Sequence, residues 1–191
     1  MSKSTVRVAV VLVIIAGSVL RFATASPLWL DEALSVHIAT GDASLTEALR
    51  QDGHPALFYL LLGWWIDVFG DGDTAVRALS GVLSLITVPV IWMATRRYGR
   101  DVAIATLLLV ATSPYLIRYA TETRMYALVV LIIALGWWAL EAAWEQPTAR
   151  RLLAVAAITA AAVHTHYWTF YAIAAAGLIV VTAGRRTNKH N

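Results

Sequence analysis

Residues 27–36 read PLWLDEALSV and set Asp31 and Glu32 side by side, a few residues past a long apolar run. Adjacent carboxylates there form either an ordinary polar loop or a working pair, acting as a general base or holding a metal. Both acids are flanked by apolar residues, so the segment is not a solvated linker. A second set, Arg118, Glu122 and Arg124, lies in SPYLIRYATETR. On a helix positions 118 and 122 share a face, which makes a structural Arg–Glu pair. Read as chemistry, the same set is an Arg gripping a phosphate while Glu122 orients a sugar or a metal.

The third set is histidine. His164 and His166 are two residues apart in HTHYW, so on a regular helix they point to different sides. One helix therefore does not supply a metal-binding pair, and a single His as a substrate hydrogen-bonding group is the stronger reading. His54 precedes Pro55 at the start of an apolar helix, and Arg77 opens an apolar span. Their bland readings are a helix-start residue and a headgroup anchor.

Positioning these groups is a membrane problem. The 191-residue chain is 59% hydrophobic and 14% charged, whereas soluble domains carry about 25% charged residues. Its net charge of +3 comes from Arg-rich clusters beside apolar runs, a topology signal rather than a nucleic-acid footprint. Without cysteine, disulfides, thiol nucleophiles and thiolate metal sites are excluded. The sequence also has no P-loop, GxSxG elbow, HExxH or dinucleotide-binding glycine pattern. The basic start, apolar middle and ATAS end of the N-terminus resemble a signal peptide, but further spans follow and the segment reads as a retained first helix.

Apolar windows fall at about 7–25, 76–95, 102–114, 124–143 and 151–184. Basic clusters at Lys3/Arg7, Arg96/Arg97/Arg100, Arg150/Arg151 and Arg185/Arg186/Lys189 belong on the cytoplasmic side. An even number of crossings then separates neighbouring clusters, giving about six spans, both termini inside, and turns near 113–124 and 164–168. HPALFYLLLGWWIDVFG (54–70) does not cross on this count. It becomes a juxtamembrane helix, with Tyr59, Trp64 and Trp65 at interfacial depth. The expected fold is an all-α polytopic membrane protein, one transmembrane domain over 1–191, with the acids in an outer loop, 26–75. All three polar sets fall on the outer face.

In order along the chain, LWLDEALSV, GHPALFYLLLGWWIDVFGDGDTAVRALSGVLSLITVPVIW, RRYGR, SPYLIRYATETRMYAL and HTHYWTFY resemble the N-terminal half of the GT-C glycosyltransferases. Within those they are similar to the protein O-mannosyltransferase and aminoarabinose-transferase group, family 39-like. The resemblance runs from about residue 10 to about residue 183. It implies a polyprenyl-phosphate sugar donor, mannose-type, and a lipid, glycan or protein hydroxyl acceptor. Asp31 would be the general base, and Glu32 would hold acceptor or metal beside it. Glu122 falls at the second acidic position, Arg77 and Arg124 at basic positions near the lipid phosphate. His54, Arg118, Tyr126 and His166 complete the expected substrate and lipid-phosphate set.

The implied reaction is an inverting displacement at the anomeric carbon, with lipid phosphate leaving. Arg residues, with or without a divalent metal, would stabilise its charge. The chain stops at GRRTNKHN directly after the sixth span, where relatives continue. The expectation is the N-terminal part of such an enzyme, with a second chain as one source of further helices. Membrane lipids are the other partners and nucleic acid is not one. Two further classes compete: a non-catalytic binder of lipid-phosphate sugars, and a small transporter. The transporter predicts polar residues within the spans, and few occur there.

Overall fold

A computed structural model describes residues 2–41 and 45–187; Lys189 of the last basic cluster lies outside them. The described residues are helical and contain no strand. In chain order the helices are α1 (Lys3–Leu20), α2 (Leu30–Thr40), α3 (Leu45–Asp52), α4 (Leu57–Phe69), α5 (Asp73–Thr95), α6 (Arg100–Thr112), α7 (Pro114–Ala120), α8 (Tyr126–Glu145), α9 (Ala149–Val163) and α10 (Thr169–Thr187).

Local chemistry sets several boundaries. Ser2 caps α1 by accepting from the Thr5 amide, and Thr148 caps α9 by accepting from Arg151. Ser113 caps α7, with Pro114 in its first turn. The Ser113-Pro114 pair also breaks one apolar run in two, so α6 and α7 meet at a bend of 57°. The 151–184 window divides at residues 164–168, where the turn was expected.

By length and composition, α5 with the 3-10 turn after it (Asp73–Tyr98) and α8 can each cross a membrane, and α6 with α7 makes a third if counted as one broken span. α1, α4 and α10 are apolar but shorter, and α9 has 15 residues beginning beside Arg150 and Arg151. The six-span count therefore relies on arms of less than full length, because it counted apolar windows between charges while caps and turns consume residues at each end. The 26–75 region holds the expected helix as α4 and two further helices, α2 and α3.

α5 is the hub, packed against α4, α6, α7 and α8. The buried core gathers Phe58, Tyr59 and Leu62 of α4 with Val76, Leu79 and Leu83 of α5 and Leu128, Leu131 and Ile132 of α8. Trp65 Nε1 donates to the Ala75 carbonyl at 2.8 Å and fixes α4 to the start of α5.

α1 is held by one residue absent from the expected set. Arg21 is 1% exposed and has no carboxylate partner among the described residues. Its Nε donates to Ser84 Oγ at 2.8 Å, Nη1 to the Gly17 carbonyl at 2.6 Å, and Nη2 to the Val110 carbonyl at 2.7 Å. The acceptors on α1 and α6 lie in their last turns, where the helix dipole favours a cation. Gly17 permits this approach, because a Cβ there would sit 2.2 Å from the Ala111 carbonyl oxygen.

Gly17→Ala is expected to separate α1 from α6 and to cost about 1–3 kcal/mol or more, as overpacking does. Gly177→Ala, whose Cβ meets nothing within 4 Å, is expected to be neutral or stabilising by up to about 1 kcal/mol. Thermal unfolding of the two variants in detergent, followed by size-exclusion fluorescence, compares them directly.

Candidate active site

Glu32 and Asp31 open α2, and one residue of helix rotation gives them opposite fates. Glu32 is fully buried. Its Oε1 accepts Arg77 Nε and the Thr123 amide, both at 2.8 Å, while Oε2 accepts Arg77 Nη2 at 2.5 Å and the Trp29 amide at 3.2 Å. Arg77 gives its remaining bonds to the Ser26 and Pro27 carbonyls. This bidentate pair therefore ties α2 to α5, to the approach from α1 and to the turn after α7. Expected as a holder of acceptor or metal, Glu32 has its carboxylate filled by the chain's own donors. Arg77, expected beside a lipid phosphate, spends four of its five N–H groups in the same clasp.

Asp31 is half-buried, and among the described residues its carboxylate has no hydrogen-bond or ion-pair partner. Its backbone carbonyl accepts from Ser35 Oγ at 2.8 Å and from Arg124 Nη1 at 3.3 Å. Arg124 is 4% exposed, and Nη1 also donates to Ser35 Oγ at 3.1 Å. Its Nε is buried without a partner, as is the hydroxyl of the neighbouring Thr123. An unpaired buried donor is costly and calls for an explanation. Both lie on the turn after α7, which bonds to Glu32 through the Thr123 amide and to the Asp31 backbone carbonyl through Arg124.

Arg118 Nε donates to Glu122 as the i, i+4 spacing predicts, although α7 ends at Ala120 and Glu122 lies in the turn beyond it. Arg118 is exposed at 69% of its side chain and Glu122 is buried, so the pair shields Glu122 at the rim. The expected histidines divide. His164 faces outward, its Nδ1 on the Ala160 carbonyl, while its own carbonyl takes the Leu57 amide at 2.9 Å and docks the start of α4 on the α9–α10 turn. His166 is turned inward, its ring 5.3 Å from that of His54 and 6.1 Å from that of Tyr126.

Sequence reasoning passed over Asp52 and read Tyr59 as an interfacial aromatic, whereas Tyr59 is 1% exposed and packs in the core. His54 Nδ1 lies 2.9 Å from Asp52 Oδ2, which also accepts the Tyr59 hydroxyl. Gly53, at φ +74, supplies the left-handed step that folds His54 back on Asp52. The available signal was Asp-Gly-His-Pro, a turn sequence flanked by two groups able to hydrogen-bond each other. Among the described residues no three His, Asp or Glu side chains form a group able to hold a metal ion.

Below this turn an apolar cavity of about 330 Å³ runs between α8, α9 and α10, lined by Ile132, Gly136, Ile158, Ala162, Thr169 and Ile173 among others. Thr169 Oγ1 donates to the carbonyls of Ala162 and His166, so the cavity begins directly under the His166 turn.

Burial alone would raise the Glu32 carboxyl, but hydrogen bonds from Arg77, Thr123 and Trp29 and the Arg77 charge outweigh it, and its pKa lies below the ordinary 4.5. A depressed folded value contributes stability that is present above the unfolded pKa and lost as pH falls through the folded one. Glu32→Gln is expected to destabilise by about 3–5 kcal/mol by stranding Arg77, with part recovered in Glu32→Gln/Arg77→Met. It is also expected to flatten the loss of stability below pH 4.5. Chemical denaturation across an acid series measures both.

His166 shifts in the same direction, although here burial is the leading cause rather than the opposing one. Burial, then the neighbouring His54 and Arg124, hold its pKa below the ordinary 6.5. The unfolded chain then binds the proton more readily, so stability falls as pH drops below 6.5. Thermal stability between about pH 7.5 and pH 5.5 is expected to fall less steeply in His166→Gln than in the parent.

A comparison with known proteins adds a family. No protein of curated function and no solved structure matches this chain. The family model described as dolichyl-phosphate-mannose-protein mannosyltransferase matches residues 53–191. That interval covers most of the chain and includes Arg77, the Arg118–Arg124 segment and both turn histidines, while Asp31 and Glu32 join the site through their bonds to it. With its apolar helices, the protein is an integral membrane protein of the GT-C glycosyltransferase type, and the chain belongs to the dolichyl-phosphate-mannose-protein mannosyltransferase family.

Proposed function

We propose that this chain transfers a mannose-type sugar from a polyprenyl-phosphate donor to a hydroxyl acceptor (lipid, glycan or protein) on the extracytoplasmic face. The observation that carries the reading is the contrast within one acidic pair. Glu32 is fully engaged, whereas the Asp31 carboxylate has no partner among the described residues, and the Asp31 backbone carbonyl accepts from Arg124, whose own Nε is unsatisfied. A free carboxylate can take a proton, and a buried guanidinium with an unused donor can take an anion.

In this mechanism the acceptor oxygen attacks the anomeric carbon from the face opposite the phosphate, and its proton passes to Asp31. The bond from that carbon to the phosphate oxygen breaks, and its electron pair leaves with the lipid phosphate. Arg124 meets the charge developing there, with Thr123 Oγ1 as a second donor. Arg118 and Glu122 form the rim, and Tyr126 with His54 and His166 forms the wall nearest the sugar. The cavity beneath the His166 turn suits the start of an isoprenoid chain, being apolar and bordered by Thr169, which bonds to the His166 carbonyl. Glu32 and Arg77 act by holding the frame. A divalent metal, if one takes part, would add charge stabilisation at the phosphate.

The test is sugar transfer from labelled polyprenyl-phosphate mannose in membranes containing this chain. Asp31→Asn is expected to lose about 100-fold or more, the scale of general-base catalysis. Arg124→Gln is expected to lose transfer and to weaken donor binding. Transfer by Asp31→Asn at the parental rate would overturn the assignment. Donor binding without transfer by the parent would move the chain to the class of lipid-sugar binders.

A further inference from the structure

The groups around His54 define which kind of atom it can present. Its Nδ1 faces two acceptors, Asp52 Oδ2 at 2.9 Å and the Asp52 carbonyl at 3.1 Å. A carboxylate and a carbonyl only accept, so Nδ1 carries a hydrogen. The second occupant of Asp52 Oδ2 is the hydroxyl of Tyr59, a residue 1% exposed. Burial and the Asp52 carboxylate push the Tyr59 phenol pKa upward, so it stays a donor. Asp52 is itself nearly enclosed, with 6% of its side chain exposed, whereas His54 keeps 24%. In the neutral imidazole this leaves Nε2 as an acceptor without a partner among the described residues.

His166 is set the opposite way. Its Nδ1 accepts the Trp168 amide at 3.1 Å, so its hydrogen sits on Nε2. The two rings meet edge to face at 5.3 Å without bonding each other. One contact thus offers an accepting nitrogen from α4's start and a donating nitrogen from the α9–α10 turn, with Tyr126 and Trp168 beside them. A phosphate oxygen satisfies only the donor. A hydroxyl satisfies both.

We propose that Asp52 and Tyr59 are positioning residues that fix His54 as a hydrogen-bond acceptor, and that His54 with His166 reads a hydroxyl of the donor sugar rather than the lipid phosphate. This rests on the transfer-site reading above and narrows it. His54 becomes a specificity residue for the sugar, and the phosphate is left to Arg124. Asp52 touches no substrate; it acts by keeping the His54 tautomer, as a carboxylate does behind a catalytic imidazole.

Two measurements on the full chain test this. Nitrogen-15 NMR of histidine-labelled protein in nanodiscs, under alkaline conditions and with His54 assigned by loss of its signals in His54→Gln, reads the tautomer directly. The parent is expected to show a protonated Nδ1 and a bare Nε2. Asp52→Asn is expected to shift that population toward protonated Nε2, and Tyr59→Phe to do so partially. A bare Nδ1 in the parent, or unchanged signals in folded Asp52→Asn, would overturn the positioning role.

Binding of polyprenyl-phosphate mannose and its mono-deoxy analogues to the same protein then tests the ligand. One analogue is expected to bind the parent about tenfold more weakly, the loss of one hydrogen bond. The same analogue is expected to show no further loss in His54→Gln. Parental binding of every analogue at full strength, or additive losses in His54→Gln, would overturn the sugar assignment while leaving the donor reading intact. Failure of the parent to bind polyprenyl-phosphate mannose, with polyprenyl phosphate as the control, would instead overturn the donor reading and this inference with it.

Discussion

The Glu32–Arg77 pair is the constraint on which the rest of the site depends. Two charges are removed from water, which costs several kcal/mol each, and the cost is offset only because every lone-pair direction finds a donor. Four donors converge on Glu32 from three separate parts of the chain. That geometry admits little slack. It fixes the start of α2 against the start of α5 and draws the turn after α7 onto the same carboxylate. Arg124, the residue after Thr123, is thereby delivered to Asp31. The helix rotation between neighbouring residues does the remainder, burying Glu32 and freeing Asp31.

The same logic explains why two buried arginines differ. Arg21 spends its guanidinium on carbonyls at the ends of α1 and α6 and on Ser84, so it is a structural cation answered by helix dipoles. Arg124 is as well buried yet retains an unpaired Nε. A chain that satisfies one buried arginine so fully has no general difficulty in doing so. The unsatisfied donor next to Asp31 is therefore a local feature of the site, of the kind that functional centres keep at the expense of stability.

Much of this was legible in the sequence because membranes impose a simple grammar. Basic clusters sort to one side, so the acids, the Arg118–Arg124 segment and the histidines had to share the other end. The structure joins them directly, through Glu32 with Thr123, Asp31 with Arg124, and His54 with His166. At the opposite end Arg97 pairs with Glu141 and Glu145, and Arg151 caps the α8 terminus, as the charge pattern required. Other features were not legible for physical reasons. Residues 30–40 have weak periodicity, so α2 owes its form to tertiary contacts and the Glu32 bonds. Neighbouring acids look alike in sequence, and only packing separates Asp31 from Glu32. Asp52 and Tyr59 are seven apart, in different helices and joined by a hydrogen bond, which no residue pattern announces.

These separations also say something about how the site is divided. The family match begins at residue 53 and contains the groups that the proposed reading gives to the donor: Arg124, Tyr126, His166 and the cavity behind them. The free acid lies ahead of it, on α2. On the proposed reading, donor recognition and proton removal come from different stretches, and the buried Glu32 oxygens are where the stretches meet. A bond between them must be rigid, because a general base acts only within hydrogen-bond reach of the proton it removes. A long exposed ion pair would not serve, being worth little and loosely held. A fully desolvated, bidentate pair with two extra amide donors gives the needed stiffness and keeps the frame around Asp31 fixed. Placing the buried, paired acid next to the free one lets one helix end serve as hinge-pin and, on the proposed reading, as base.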